Sequence, residues 1–286
     1  MVTAARGQRL GIFSGSGVGK SMLLGMLAQN ARSEVNVLAL IGERGREVKE
    51  FLERDLGSEG LARSVVVVVT SDESAVLRAK GADTAMTIAE SYRENDQSVL
   101  FMMDSATRYA MALREIGLAA GEPPTTKGYP PSVFAALPRL CERAGWSDVN
   151  AMTAFFSVLI EGDDIQDPVA DAMRSILDGH IMLSRDLARR QHYPAVDVLG
   201  SVSRLRNDIL GAEDRDAGAR LMTWLKALED NRDLINIGAY VAGSDPLLDQ
   251  ALAKEDELMG FLAQKAGDSH GIEATLAGLR RLTEVR

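Results

Sequence analysis

Apolar and polar positions follow two different periods along the first two thirds of the chain. Short runs that are apolar at nearly every position predict strands buried on both faces, and longer segments with apolar residues three and four apart predict helices. The predicted strands are Arg9 to Ser14, Val35 to Ile41, Ser64 to Val69, Val99 to Met103, Met152 to Ile160 and His180 to Leu183. The predicted helices between them are Lys20 to Ala31, Glu47 to Leu56, Glu73 to Arg93, Ala106 to Ile116 and Pro131 to Ala144. This alternation predicts an α/β fold with a parallel sheet flanked by helices, and Gly57 and Gly117 stand where two helices are expected to end.

The pattern changes after Arg204, where only helical periodicity continues. The predicted helices there are Gly211 to Asp230, Asp233 to Tyr240, Pro246 to Gln264 and Gly271 to Glu284. We therefore expect two domains, an α/β domain over residues 1–204 and a smaller all-helical domain over residues 205–286.

Composition narrows the classes of function. The chain has 286 residues, 46% of them hydrophobic, which is enough for one large or two modest cores. Its net charge of −9 disfavours a primary role in nucleic-acid binding. The longest apolar stretch, Ala151 to Ile160, is too short to span a bilayer, and no signal peptide is evident. The one cysteine, Cys141, excludes an internal disulfide and is expected to pack as a small apolar residue on a helix.

A phosphate-binding loop follows the first predicted strand. It consists of Ser14, Gly15, Ser16, Gly17, Val18, Gly19, Lys20 and Ser21. Glycines let backbone N–H groups turn toward phosphate oxygens, Lys20 adds a positive charge, and Ser21 offers a hydroxyl to Mg²⁺. Ser14 occupies the position where the usual pattern has its first glycine. The alternative is a glycine-rich turn with no ligand, but the Lys-Ser pair and the following helix favour a nucleoside triphosphate.

Two predicted strands are followed or ended by carboxylates that could bind a metal ion or activate a water molecule beside such a loop. Asp104 ends the strand from Val99, so it either holds a metal ion or merely caps the next helix, and the loop upstream favours the metal. Glu43 follows the strand from Val35 and could polarise a water for attack on a γ-phosphate. A solvated charged turn is the alternative for Glu43. The acidic loop Asp163 to Asp167 would repel phosphates, so we expect it to face solvent or a partner.

Two later residues complete the candidate site. Tyr193 precedes a proline that favours an extended backbone, which suits a ring offered to a flat base, although core packing explains it equally well. Arg204 follows the last strand of the α/β domain. It is either a solvated charge or an arginine finger that reaches the phosphates of a neighbouring subunit.

Together these motifs resemble the catalytic subunits of rotary-type ATPases, and within that group the flagellar protein-export ATPases. The resemblance covers about Leu10 to Tyr240 with a RecA-like fold, and Ser14 fits it because export enzymes often have a small residue there. Its most specific segments are Gly15 to Ser21, Gly42 to Val48, Met103 to Ala110, Lys127 to Phe134, Glu161 to Pro168 and His192 to Asp197.

The resemblance implies a role for each matched residue. Lys20 and Ser21 would hold the phosphates and Mg²⁺ of bound ATP, and Asp104 would lie in the outer shell of the metal. Glu43 would be the catalytic carboxylate, with Arg44 facing the phosphates beside it. The remaining roles are phosphate sensing for Arg108, stacking on adenine for Tyr193 and a finger in trans for Arg204.

The resemblance also implies a setting and partners. The full-length protein would be a homo-hexameric ring, cytoplasmic, at the cytoplasmic face of the flagellar export apparatus, with peripheral membrane association at most. The Asp163 to Asp167 loop would face a stalk protein, and regulatory proteins, export substrates and chaperones would be further partners. The amino-terminal β-barrel of the family is missing from this sequence, so we expect a fragment that is mostly monomeric.

Three other functions fit parts of the same pattern. A virulence-type secretion ATPase shares the chemistry and differs in its clients. A non-catalytic nucleotide-binding ring subunit would lack the carboxylate at Glu43, and a hexameric RNA translocase is disfavoured by the negative charge.

Overall fold

The computed structural model describes residues 1–160 and 167–284. Its strands are β1 (Arg9–Ser14), β2 (Val35–Ile41), β3 (Ser64–Val69), β4 (Val99–Asp104), β5 (Gly145–Trp146), β6 (Ala151–Leu159), β7 (Gly179–Leu183) and β8 (Val196–Ser203). The helices around the sheet are α1 (Lys20–Asn30), α2 (Gly45–Glu50), α3 (Gly57–Ala62), α4 (Ala75–Glu94), α5 (Ala106–Ala119), α6 (Pro131–Cys141), α7 (Pro168–Ile176), α8 (Arg185–Arg189) and α9 (Arg206–Ile209). A π-helical segment, Phe51–Leu56, joins α2 to α3.

Seven strands form one sheet in the order β3-β2-β4-β6-β1-β7-β8, and β5 pairs with β6. The pairs from β3 to β7 are parallel, as the fully apolar strands predict, because such strands are covered by helices on both faces. The predicted parallel sheet is confirmed for these strands, and two antiparallel pairs are added to it, β5 with β6 and β8 with β7. The result is a mixed α/β sheet.

Helices cover the sheet on both faces and enclose two apolar cores. On one face the alanines of α4, spaced three and four apart, pack closely against Ile41 of β2 and Phe101 of β4. Cys141 is buried in this core, where burial raises the pKa of its thiol to about 12, so it packs as an apolar residue as predicted. On the other face α1 and the π-helical segment pack against β1, β2 and β4.

The rest of the chain is helical, as the sequence predicts. Its helices are α10 (Ala212–Asp230), α11 (Arg232–Asn236), α12 (Pro246–Leu262) and α13 (Ile272–Thr283). They enclose a third core around Leu221 and Trp224, on which Val198 and Leu199 of β8 also pack. No helix among the described residues is long and apolar enough to cross a membrane.

Candidate active site

The phosphate loop connects the carboxyl end of β1 to α1. Gly17 and Gly19 have φ of 76° and 90°, in the left-handed region that favours glycine, and Gly19 caps α1. The helix therefore begins at Lys20, with its first backbone N–H groups available to an anion. This geometry suits a bound polyphosphate.

Lys20, Glu43 and Asp104 come together although they lie on three separate segments. The Nζ atom of Lys20 lies 2.5 Å from Oδ1 of Asp104 and 3.8 Å from Oε1 of Glu43. The loop after β1 and the carboxyl ends of β2 and β4 converge here because these strands are parallel. Both carboxylates that the sequence singled out are thus beside the loop lysine.

The charged groups of this cluster change the pKa values of Lys20 and Glu43. Burial and the nearby Asp104 raise the pKa of the Glu43 carboxyl to about 7. Burial lowers the pKa of Lys20, but Asp104 and Glu43 together more than offset this, so its pKa lies above the usual value. Oε1 of Glu43 is buried and makes no hydrogen bond within the described structure. Glu43 is therefore a carboxyl group poised to change its charge near neutral pH.

Ser157 holds Asp104 in place, and sequence reasoning missed it. This fully buried serine of β6 donates a hydrogen bond of 2.6 Å from its Oγ to Oδ1 of Asp104. A serine inside an apolar strand was the available signal, because a buried hydroxyl needs a partner.

Arg108 lies beside this cluster because Gly42 leaves room for it. A Cβ atom on Gly42 would lie 2.9 Å from Cβ of Arg108, and the φ of Gly42 is 75°. The Arg108 charge favours the ionised form of Glu43, so the two groups interact electrostatically. Its Nε is buried without a hydrogen-bond partner in the part of the chain that the structure describes.

Tyr193 lies against the phosphate loop. A Cβ atom on Gly19 would lie 3.2 Å from Cε1 of the Tyr193 ring. The carbonyl oxygen of Tyr193 accepts a hydrogen bond of 2.8 Å from the backbone N–H of Gln264, in the segment after α12. The helical region thus contacts the backbone of Tyr193 through Gln264. These residues are far apart in the sequence, so no local pattern predicts the contact.

Two predicted arginines lie apart from the cluster. The side chain of Arg44 is 73% exposed and pairs with Glu47 at 3.3 Å. Arg204 is exposed, and its Nη2 donates to the carbonyl oxygen of Arg174 at 3.3 Å.

The sheet register explains the distance of Arg204 from its own phosphate loop. Ser203 pairs with Gly179 at the start of β7, while the loop follows the opposite end of the parallel strand β1. At a rise of about 3.3 Å per residue the two sites are separated by most of the length of β1.

The predicted metal site uses oxygen donors of two kinds. Ser21, partly buried, begins α1 with Lys20, and Asp104 is buried at the end of β4. A hydroxyl and a carboxylate are ligands that suit Mg²⁺. The described residues contain no group of three or more His, Cys, Asp or Glu side chains that could hold a metal ion.

The predicted partner-facing loop, Asp163 to Asp167, lies outside the described part of the chain except for its last residue. Asp167, its last member, caps α7 by accepting hydrogen bonds from the backbone N–H groups of Val169 and Ala170 at 2.9 and 3.1 Å.

A buried strand, a glycine loop ending in Lys-Ser and carboxylates on two parallel strand ends define a P-loop nucleotide-binding protein. A profile of the ATP synthase alpha/beta family, nucleotide-binding domain, matches residues 1–203, and one of the T3SS EscN ATPase C-terminal domain matches residues 210–281. The chain belongs to the ATP synthase alpha/beta family, as the resemblance in the sequence implied.

The similar proteins are named as flagellum-specific ATP synthases and as an ATPase of a type III secretion system. The chain is 53% identical to the flagellum-specific ATP synthase of Bacillus subtilis over 99% of its length and 65% of that protein. It is 55% identical to the flagellum-specific ATP synthase of Salmonella typhimurium over 92% of its length and 58% of that protein. Among solved structures, the assembled ATPase EscN in complex with its central stalk EscO, from the type III secretion system of enteropathogenic E. coli, is 45% identical. That match has a TM-score of 0.93 over 99% of this chain and 68% of EscN. The chain thus spans about three fifths of the two flagellar relatives.

Proposed function

We propose that the chain is the catalytic part of an ATPase that drives export of flagellar proteins. The observation that carries this proposal is the cluster of Lys20, Glu43 and Asp104, in which a carboxyl group near neutral pKa lies beside the loop lysine. The chain would hydrolyse ATP, with residues 1–204 binding the nucleotide and residues 205–286 forming a helical domain.

Each part of the cluster has a role in this reaction. The loop from Ser14 to Ser21 would bind the phosphates, and Lys20 would move from the carboxylates to the γ-phosphate. Glu43 would orient and deprotonate the attacking water, while Arg108 would favour its ionised form. Ser21 and Asp104 would hold Mg²⁺, whose charge stabilises the transferring phosphoryl group.

Arg44 and Arg204 would act at the phosphates only after a change of conformation or of partner. Arg44 would leave Glu47 and turn toward the γ-phosphate. Arg204 lies near the end of the strands that is opposite its own phosphate loop, which supports a role in the site of the next subunit. An arginine finger supplied in trans is worth about 10³–10⁵ in rate. Tyr193, at the loop, is placed to stack on the adenine ring.

The setting we propose is a ring on the export apparatus. The full-length protein would form a homo-hexamer at the cytoplasmic face of the membrane, with a stalk protein in its centre, and regulatory proteins, chaperones and export substrates as further partners. The assembled EscN with its stalk supports the ring and the stalk partner. Virulence-type export is the second candidate for the setting, because type 3 secretion system ATPases are 50% identical to this chain and flagellar relatives are 49–55% identical.

A non-catalytic ring subunit is the alternative from another class. Glu43 disfavours it, because a subunit that only holds ATP has no use for a buried carboxyl group beside the phosphate lysine.

Mixing two inactive variants tests both hydrolysis and the shared site. Glu43→Gln removes the base and Arg204→Ala removes the finger, so each variant alone should release little phosphate from ATP. Mixed together, they form interfaces that combine an intact Glu43 with an intact Arg204, and phosphate release should recover. A chain carrying both substitutions, mixed with Glu43→Gln, is the matched control, because it can form no complete interface.

The wild-type chain is assayed over the same range of concentrations. Its turnover per chain should rise with concentration as interfaces form. Turnover that is high and independent of concentration would exclude the finger in trans, and an inactive wild-type chain at every concentration would contradict hydrolysis by this part of the protein.

A further inference from the structure

The backbone and the side chain of Arg204 are both attached to the end of α7 and the turn before β7. The backbone N–H of Arg204 donates a hydrogen bond of 2.9 Å to the carbonyl oxygen of Asp178. Its Nη2 donates to the carbonyl oxygen of Arg174, in the last turn of α7, at 3.3 Å. The preceding residue, Ser203, pairs with the first residue of β7. The position of the guanidinium group therefore depends on this turn.

A buried glutamine holds the same turn. Gln8 is 1% exposed and immediately precedes β1. Its Nε2 donates to the carbonyl oxygen of Asp178 at 3.2 Å and to Oγ of Ser203 at 3.1 Å. The Ser203 hydroxyl in turn donates to the carbonyl oxygen of Thr3 at 2.6 Å. A buried polar network with paired members favours a single arrangement. Because Gln8 lies at the end of β1 opposite the phosphate loop, this network supports the backbone of Arg204 and not the loop.

The carboxylate of Asp178 adds a negative charge near Arg204. Its Oδ2 accepts hydrogen bonds from the backbone N–H and the Nε of Arg9 at 3.0 and 3.1 Å, and its Oδ1 accepts one from Nη2 of Arg9 at 3.2 Å. Burial would raise the pKa of this carboxyl, but these hydrogen bonds and the charges of Arg9 and Arg204 hold it below its ordinary value. Asp178 thus attracts the guanidinium group of Arg204 by charge, while its own oxygens are occupied by Arg9.

We propose that Gln8 and Asp178 are positioning residues for Arg204 as the arginine finger of the next subunit. The inference rests on the proposed function, which supplies the role of Arg204. Neither residue would touch the nucleotide. Gln8 would fix the backbone from which Arg204 projects, and the charge of Asp178 would set the direction of the guanidinium group. Both would therefore affect the site of the neighbouring subunit and leave the site on their own chain intact.

Asp178→Asn removes the charge and keeps the shape of the side chain. Arg9 retains its ion pair with Glu142 at 2.5 Å, so we expect the variant to fold. The kcat for ATP hydrolysis should fall by about 10²-fold, the loss that follows from a displacement of about 1 Å at a catalytic group. The KM for ATP should stay the same if the finger acts only in the transition state.

A second variant and a matched control accompany this substitution. Gln8→Met keeps the length of the side chain and removes both hydrogen bonds to the turn, so kcat should fall here as well. Glu142→Gln is the control, because it also removes a carboxylate that pairs with Arg9 but lies on neither contact of Arg204. Its turnover should equal that of the wild type.

Mixing the full-chain variants shows to which side of the interface Asp178 belongs. Asp178→Asn mixed with Glu43→Gln should recover phosphate release, because the first chain supplies an intact Glu43 and the second an intact finger. Asp178→Asn mixed with Arg204→Ala should stay inactive, because neither chain then has a working finger. Gln8→Met should behave in the same way with both partners. A general folding defect would not produce this asymmetry.

Two results would overturn the proposal. One is an unchanged kcat in both Asp178→Asn and Gln8→Met. The other is recovery with Arg204→Ala, which would place the defect in the site on the same chain. If Asp178→Asn does not fold, as judged by circular dichroism, the two mixtures of Gln8→Met decide between these outcomes.

Failure of the proposed function gives a different result. If Glu43→Gln and Arg204→Ala do not restore each other, the finger in trans is excluded, and this inference is excluded with it. If those two variants do restore each other and the Asp178 and Gln8 variants show no asymmetry, the proposed function stands and only the positioning role is lost.

Discussion

The ammonium group of Lys20 lies 3.8 Å from Oε1 of Glu43, a buried carboxylate oxygen without a hydrogen bond in the described structure. This relationship places an acid with a raised pKa next to the lysine that we propose contacts phosphate. Glu43→Gln keeps the shape of the side chain and removes the base. We expect ATP binding to be retained and phosphate release to fall by about 10²–10⁴, the usual contribution of a general base. Binding of a fluorescent ATP analogue and single-turnover hydrolysis measure the two effects separately.

Glu50→Gln is the control for that variant. Glu50 is exposed on α2 and pairs with Arg46 at 3.9 Å, so its loss should leave turnover unchanged. Hydrolysis at the wild-type rate in Glu43→Gln would remove Glu43 from the reaction.

The raised pKa of Glu43 also predicts a pH-dependent stability. The pKa of this carboxyl is about 7 in the folded chain, against an ordinary value of 4.5, so folding favours its protonated form. This stabilising contribution is fully present below pH 4.5 and is lost as the pH rises through about 7. Glu43→Gln has no carboxyl group and lacks this contribution. Between pH 4.5 and about 7, the free energy of unfolding of the wild type should therefore fall by about 1–3 kcal/mol relative to that of Glu43→Gln. Urea unfolding at several pH values measures the difference, and parallel curves would contradict the raised pKa.

The contact between Gly19 and Tyr193 predicts a sensitive glycine. Gly19→Ala places a methyl group at a φ of 90° and within 3.2 Å of the Tyr193 ring. We expect a loss of about 1–2 kcal/mol in the free energy of unfolding from the backbone conformation alone. Nucleotide binding should weaken as well, because the loop and the ring must move apart.

Gly45→Ala is the matched control for that substitution. Gly45 begins α2 and has no left-handed φ, and a Cβ atom there would have nothing within 4 Å, so the change should be neutral or slightly stabilising. Equal losses in both variants, measured by thermal and urea unfolding, would show that the Tyr193 contact is unimportant.

Ser157 predicts an effect at the end of β4. Ser157→Ala removes the hydroxyl that donates to Asp104 but leaves the contact with Lys20. We expect a loss of about 1–2 kcal/mol in the free energy of unfolding, since the hydrogen bond is made to a charged group in a buried place. The Mg²⁺ concentration needed for half-maximal ATP binding should rise, because Asp104 is less firmly oriented. An unchanged Mg²⁺ requirement would mean that Ser157 serves folding alone.

Much of the fold could be predicted because its strands are apolar on both faces. The bounds of β1, β2 and β3 agree with the sequence pattern residue by residue. Strand β5 could not be predicted, since its two residues, Gly145 and Trp146, are too few to show a period. Helix α7 was also missed, although Asp167 and Pro168 form a recognisable start signal.

Glycine was informative at one predicted helix end and misleading at the other. The backbone does break at Gly57, with a φ of 64°, and the separate helix α3 begins there. The expected end at Gly117 was wrong, because α5 continues to Ala119. Gly117 is small for a packing reason, since a Cβ atom there would lie 3.0 Å from Cγ of Pro130.

The candidate site was predictable as residue types on strand ends and less so as contacts. Lys20, Glu43 and Asp104 converge because parallel topology brings those ends together. Arg44 pairs with Glu47 at the surface and does not join the cluster, and no sequence pattern reveals that contact. The contacts of Ser157 and Gln264 join segments far apart in the sequence and follow only from the folded chain.

Arg204 and the phosphate loop lie toward opposite ends of the strands of one sheet, and this gives the molecule a direction. If Arg204 serves the next subunit, each chain donates an arginine in one direction and receives one from the other, so the contact is head-to-tail. An open arc of such chains has one idle arginine at its first member and one unserved loop at its last. When the ring closes, the unused arginine of the first chain and the unserved loop of the last chain are both supplied with a partner. The last chain to join would therefore complete two interfaces.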